Sequence, residues 1–345
     1  MAGIEIERLR NVGILGQGGV GKTTLGEALL FSAGATQRVG RVENGTSVLD
    51  FEPEEIRRHF TISTAFHSLS WKKCSLNLID TPGYSPFLPD AINCMRAFGG
   101  SVFLLSPSDG AKVETERLWG RANDANLSRL IFISKMEREK ENFKEALDGI
   151  FESLEMKGVP LQLPVGVEEG FKGVVDLLTM KAFLFDGDTG KFSTTEIPED
   201  LKKDSEELRV QLVESVAETD DALLEKYLDS QELSLEELKK GIREGTRTGK
   251  LYPILYGSAL RQIGIPQLLD AIIDYLPSPL EEPTVQGKNP VTGEMEERSA
   301  DPKTPFSAYI FKTLMDPFVG KLSIMRVISG KMAPDMAVYN PNKEA

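Results

Sequence analysis

Eight consecutive residues near the amino end carry the first legible chemistry. Gly16-Gln17-Gly18-Gly19-Val20-Gly21-Lys22-Thr23 satisfies the spacing G-x-x-x-x-G-K-[ST]. The apolar run Val12 to Leu15 precedes it, and Leu25, Leu29 and Leu30 follow at helical spacing. Glycines so placed let successive backbone N–H groups curl around a phosphate chain at a helix N-terminus. Lys22 brings a cation to the β and γ phosphates, the Thr23 hydroxyl can ligate magnesium, and Thr24 carries the loop into the helix. The expected ligand is a purine nucleoside triphosphate.

Asp80-Thr81-Pro82-Gly83 follows a second apolar run, Leu76 to Ile79. A carboxylate there can hold magnesium, usually through water, and the Gly83 N–H can meet a γ-phosphate. Alone, D-T-P-G reads as a turn. Downstream of a phosphate loop it reads as a switch.

These residues need a scaffold. Further apolar runs at Val102 to Leu105, Leu130 to Ile133 and Tyr252 to Tyr256 alternate with helical stretches. That pattern predicts an α/β fold with a doubly wound, mostly parallel sheet covered on both faces. The pattern breaks from about Leu154 to Leu251, where a Gly-rich apolar run (Val165 to Leu178) precedes charged amphipathic segments, so an inserted α+β subdomain is expected at about 154–251. Ser234 with Glu237 reads as a capping box opening a helix with Leu235, Leu238 and Ile242. Ile265, Leu268, Leu269, Ile272, Ile273 and Leu276 form a closing helix that Pro277 and Pro279 stop. The nucleotide-binding domain is thus placed at 1–280 and a linker at 281–304. The start of a β-barrel is placed at 305–345, with a turn at Asp316-Pro317 and room for about three strands. Three strands would leave open pairing edges, so either the chain is a fragment or a partner completes it.

The 345 residues carry 40 basic and 53 acidic side chains, a net charge of −13. An acidic body argues against unaided nucleic-acid binding, though not against docking on a ribonucleoprotein through a local patch. No segment reads as a signal peptide or a membrane span, so a cytoplasmic protein without membrane partners is expected. Cys74, Cys94, His59 and His67 lack zinc spacing, and both thiols read as buried packing residues.

Together these motifs resemble the translational GTPases, and more closely elongation factor G and its paralogues, over essentially the whole chain. Arg58-His59-Phe60-Thr61-Ile62 stands where that family has R-G-I-T-I, which marks Thr61 as a second magnesium ligand beside Thr23 and Asp80. Gly257-Ser258-Ala259 is similar to the loop that supports guanine. Gln162-Leu163-Pro164-Val165-Gly166, then Phe171, Gly173, Asp176 and Met180-Lys181-Ala182, is similar to the insertion distinctive of elongation factor G. Asp316-Pro317-Phe318-Val319-Gly320-Lys321-Leu322 resembles the opening of its barrel domain. The resemblance implies GTP and GDP as ligands with Mg2+, and switch segments at Gly45 to Thr61 and Asp80 to Phe87. It also implies a ribosomal partner (rRNA and stalk proteins) and further C-terminal domains absent here.

Four residues in three segments depart from the family pattern. Ser134-Lys135-Met136-Glu137 replaces N-K-x-D, so the base contact rests on a longer carboxylate and a short hydroxyl. Tyr84 stands where the well-known factors have the histidine that positions water, and resembles a branch of elongation factor G paralogues. A phenol does not become a cation near pH 7 as imidazole does, so slow or altered hydrolysis is expected. Gly19 replaces a loop aspartate. Three readings follow: a ribosome-dependent GTPase with Lys22, Thr61, Gly83 and Tyr84 in the catalytic roles; a nucleotide-gated ribosome-binding module with little hydrolysis; or a P-loop NTPase with relaxed base choice.

Overall fold

The computed structural model describes residues 5–343 apart from 141, 231, 291 and 317. Pro317, expected in a turn and in the barrel-opening motif, lies outside the described residues. The chain divides into two compact units, Arg10–Pro277 and Met1–Leu9 with Ser278–Ala345.

The larger unit begins with β1 (Leu9–Leu15), α1 (Lys22–Ser32), α2 (Pro53–Arg58), β2 (Ala65–Trp71) and β3 (Cys74–Asp80). It continues with α3 (Leu88–Cys94), β4 (Gly100–Leu105), α4 (Val113–Asp124), β5 (Ser128–Ile133) and α5 (Phe143–Ser153). Then come β6 (Gly158–Pro160), β7 (Gln162–Val165), β8 (Gly173–Asp176), β9 (Lys181–Phe185) and β10 (Phe192–Thr195). Helices α6 (Lys202–Ala217), α7 (Asp221–Ser230) and α8 (Leu235–Arg247) lead to β11 (Tyr252–Tyr256) and α9 (Ile265–Tyr275).

Among the described residues, seven strands form the main sheet in the order β2-β3-β1-β4-β5-β11-β6. Every residue of β4 and β5 is buried, as parallel strands covered on both faces must be. β2 pairs antiparallel to β3, and its mixed burial fits an edge strand. Its polar residues hid it from the apolar-run reading. α1 buries Leu25, Leu29 and Leu30 and α9 buries Ile265, Leu268, Leu269 and Ile272, all at 0% exposure. Between β4 and β11, Phe132 is fully buried, and its ring fills the space beside Gly257 where a Cβ would lie. Phe132→Ala is expected to destabilise the unit by about 3–5 kcal/mol, read as a lower urea midpoint at unchanged slope.

The segment expected as an insertion is not wholly separate. β6 pairs parallel with β11 and closes the main sheet, so the independent part starts after Pro160. From there β7 to β10 form an antiparallel sheet in the order β10-β9-β8-β7, with α6, α7 and α8 following. Ser234 and Glu237 make the capping box: Ser234 N–H donates to Glu237 Oε2 (2.8 Å) and Glu237 N–H to Ser234 Oγ (3.3 Å). Cys94 is buried, whereas Cys74 is only partly so, at a hairpin end that solvent reaches.

In the smaller unit, β12 (Val285–Lys288) and β13 (Met295–Arg298) form an antiparallel hairpin. The linker expected at 281–304 therefore contains structure, which its Gly, Pro and charge content concealed. β14 (Ser307–Asp316) pairs antiparallel with β15 (Gly320–Ser329). That is two long strands instead of about three, since no described residue after Ser329 is in a strand.

Candidate nucleotide and cation site

The loops that carry the expected site residues leave the carboxyl ends of strands. β1 runs into Gly16–Gly21, β3 ends on Asp80, β4 leads to Ser106, β5 to Ser134 and β11 to Gly257. In an open α/β sheet ligands gather outside such ends. The Thr81 hydroxyl donates to Ile14 O (2.6 Å), which fixes the Asp80 to Gly83 segment against β1.

Within the phosphate loop, Gly19 (φ 79°) and Gly21 (φ 102°) are left-handed, a conformation that glycine adopts without strain. Lys22 is 6% exposed and its Nζ donates to Gln17 O (2.9 Å), which lays the ammonium across the loop. Burial pushes the Lys22 pKa down and the Asp80 carboxylate opposes that shift. A cavity of about 140 Å³ opens on Gly18, Gly19, Gly21 and Lys22 to Thr24. Its walls are Val42, Glu43, His59, Phe60 and Thr61 on one flank and Gly83 and Tyr84 on another.

Gly16, Gln17 and Val20, also expected in the site, do not line this cavity. Val20 is 1% exposed in the core. The Gln17 side chain turns away, and its Oε1 accepts from Lys112 N (3.0 Å) and Thr115 Oγ1 (2.6 Å). A Cβ on Gly16 would lie 2.9 Å from Leu104 O.

Thr23, Thr61 and Asp80, each named from sequence as a metal ligand, meet. Thr23 Oγ1 lies 2.7 Å from Thr61 Oγ1 and donates to Asp80 Oδ2 (2.7 Å). A residue not anticipated joins them: Thr61 Oγ1 donates to Asp50 Oδ1 (3.0 Å). Asp50 is 4% and Asp80 0% exposed, and their second oxygens, Asp50 Oδ2 and Asp80 Oδ1, are buried with no hydrogen-bond partner. Burial pushes the Asp50 carboxyl up to about 6, helped by the nearby Glu55 and Glu27 carboxylates. Asp80 is also pushed up by burial, against its bond from Thr23 and the charge of Lys22. Two hydroxyls and two carboxylates with orphaned oxygens form an all-oxygen donor set that fits a hard divalent cation such as Mg2+.

Buried carboxylates hold the segment that delivers Asp50 and Thr61. Glu27 Oε1, on α1, accepts from Ser47 Oγ (2.7 Å), Val48 N (2.6 Å) and Leu49 N (3.1 Å). Glu55 Oε1 accepts from Ile62 N and Ser63 N (both 2.8 Å). Sequence reasoning missed Asp50, Glu27 and Glu55, because acidic residues in a charged stretch look solvated. The one available signal was that Asp50 shares the expected switch segment with Thr61.

Tyr84 is seated. A Cβ on Gly18 would lie 2.6 Å from the Tyr84 ring, so the phenol covers a gap that only glycine leaves open. Phe60 meets Tyr84 edge-on with centroids 5.1 Å apart. Gly83 is equally confined, since its Cβ would lie 2.6 Å from Gly16 O and run into Lys22 Nζ.

The residues expected at the base lie outside this cavity, on the next loops. Ser134 Oγ is 3.6 Å from the Cβ position of Gly21, so the β5 loop adjoins the phosphate loop. Lys135 pairs with Asp109 (2.7 Å), and Met136 N–H donates to Gly257 O (3.3 Å), which joins the 134–137 and 257–259 segments. Glu137 Oε2 is buried without a hydrogen-bond partner, and Ser258 and Ala259 are 0% and 5% exposed.

Residues 7–278 match the family model of the elongation factor Tu GTP-binding domain. A crystal structure of a protein from Thermus thermophilus superposes with a TM-score of 0.81 at 30% sequence identity. The alignment covers 94% of this chain and 46% of that one, so the chain spans about half the length of that protein.

Proposed function

Because this chain belongs to the elongation factor Tu GTP-binding domain family, we propose that it is an elongation-factor-G-like translational GTPase that binds GTP with Mg2+ and hydrolyses it when stimulated by the ribosome. One observation carries this reading above the others. Thr23 Oγ1, at the end of the phosphate loop, lies 2.7 Å from both Thr61 Oγ1 and Asp80 Oδ2, so three separate segments converge there, with Asp50 bonded to Thr61.

In this reading the loop amides and the Lys22 ammonium bind the phosphates, and the Gly83 N–H orients the γ-phosphate. Thr23, Thr61 and Asp80 would hold magnesium, with Asp50 behind Thr61; when bound, the ion neutralises charge on the β and γ oxygens. The Tyr84 hydroxyl is offered to the attacking water as a neutral hydrogen-bonding group. Glu137, with an unsatisfied buried oxygen, is offered to the donor edge of guanine. The proposed partner is the ribosome, through rRNA and stalk proteins, in a cytoplasmic role in protein synthesis.

A second reading, a GTP-gated ribosome-binding module with little hydrolysis, draws on the seating of Tyr84 against Gly18 and Phe60. Phosphate release from GTP with and without ribosomes, for the unsubstituted chain and Tyr84→His, separates the two. The GTPase reading expects ribosome-stimulated release from the unsubstituted chain. Tight GTP binding with no release from either form would sink it.

Competition of labelled GTP by ATP and by xanthosine triphosphate tests the base. Guanine preference is expected to survive but to be smaller than a well-placed bidentate contact gives, about 1–3 kcal/mol. Displacement by ATP at equal concentration would overturn the guanine assignment.

A further inference from the structure

The inserted sheet bonds the residues that follow each of the two loops assigned to the base, chiefly through one turn. The turn Glu168–Gly170 lies between β7 and β8. Its Glu168 N–H donates to Glu139 O (3.2 Å), where the loop after β5 ends. Its carbonyls meet Arg261, two residues past Ala259: Arg261 Nη1 donates to Glu169 O (3.2 Å) and Phe171 O (2.9 Å). Arg261 Nε also donates to Asp188 Oδ1 (3.2 Å), in the turn between β9 and β10.

Each end of this bridge is anchored. Arg261 N–H donates to Ser258 Oγ (3.1 Å), and Ser258 and Ile263 exchange both backbone bonds (3.0 and 2.9 Å). The Glu139 carboxylate, 2% exposed, accepts from Ser106 Oγ (3.2 Å), Ser108 N (3.1 Å) and Ser108 Oγ (2.9 Å). Displacement of the turn would therefore be felt by the 134–139 and 257–259 loops together.

We infer that the 168–171 turn, gripped by Arg261, is a positioning device for the base-binding loops, so that residence of a guanine nucleotide and its discrimination from other bases are governed from the insertion. Arg261 is a positioning residue whose side chain grips the 168–171 backbone while its own main-chain N–H is held by Ser258. Guanidinium suits the task, because a planar fork can bond two carbonyls and a carboxylate at once, whereas an ammonium is a single point charge. Asp188 matters less: its side chain is 60% exposed, so that ion pair is screened. The inference rests on the GTP reading above.

The test uses the full chain, following dissociation of methylanthraniloyl-GDP by stopped flow and equilibrium affinities for GDP and IDP, which lacks the 2-amino group. Arg261→Ala is expected to release the fluorescent GDP about tenfold faster and to lower the GDP-to-IDP affinity ratio, the scale of one lost charge-assisted bond. Arg261→Lys, the milder change, is expected to shift the ratio the same way by less, and Asp188→Ala to leave it near the unsubstituted value. Unchanged dissociation in both Arg261 variants would overturn the inference. So would equal losses for GDP and IDP with the ratio intact, since Arg261 would then only fasten the insertion. Failure of the unsubstituted chain to bind GDP would overturn the inference and the reading it rests on together.

Discussion

Replacing Lys22 with alanine is expected to weaken both GTP and GDP binding by about a hundredfold or more. Lys22 is the one phosphate-loop side chain that brings a full positive charge to the cavity floor, and it is 6% exposed. A charge-assisted hydrogen bond contributes about 1.5–3 kcal/mol, so losing two phosphate oxygens as partners reaches that factor. The folded protein without nucleotide should melt at nearly the same temperature, because burying the ammonium is itself costly and pushes its pKa down. Calorimetric titration with GDP, alongside a melting curve in its absence, reads both quantities. Affinity within threefold of the unsubstituted chain would remove Lys22 from the binding machinery.

Gly83→Ala is the second large effect, and it separates chemistry from binding. The added methyl has nowhere to go: its position lies 2.6 Å from Gly16 O and from the Gln17 carbonyl carbon, and against Lys22 Nζ. The 83–84 segment must shift, carrying with it the amide assigned to the γ-phosphate and the Tyr84 phenol that rests on Gly18. A misplacement of about 1 Å can cost about a hundredfold in rate, so ribosome-stimulated hydrolysis should fall by that order. GDP contacts neither group in the proposed arrangement, and its affinity should change by less than about fivefold. Single-turnover hydrolysis and GDP titration on the same preparation test this. Equal losses in both would place Gly83 among the determinants of the loop fold instead of the reaction.

Much of the architecture was legible because parallel sheets write themselves plainly. Buried central strands such as β4 and β5 each hold a continuous apolar run, Val102 to Leu105 and Leu130 to Ile133, and α9 shows its face by spacing alone. Elements whose residues are polar on one side escaped: β2 at the sheet edge, and the β12–β13 hairpin inside a Gly- and Pro-containing stretch. The boundary of the insertion was misread for a related reason. Three residues, Gly158–Pro160, are too short to carry a periodic signal, and only their pairing with β11 assigns them to the main sheet.

By itself the sequence determined the phosphate loop, the D-T-P-G segment, Thr61 as a residue to watch, and the departures at Ser134, Glu137 and Tyr84. These are contiguous motifs, or single positions within them, and a contiguous motif needs only local order to be read. Tertiary structure alone decided that Asp50 joins Thr61 beside Thr23 and Asp80, that Glu27 and Glu55 hold the stretches flanking Asp50 and Thr61, and that Arg261 ties the insertion to the 257–259 loop. Those contacts join residues 7 to 92 positions apart. A buried carboxylate and a solvated one are the same letter in a sequence. What distinguishes them is desolvation and the partners that folding brings within about 3 Å, which no local pattern encodes.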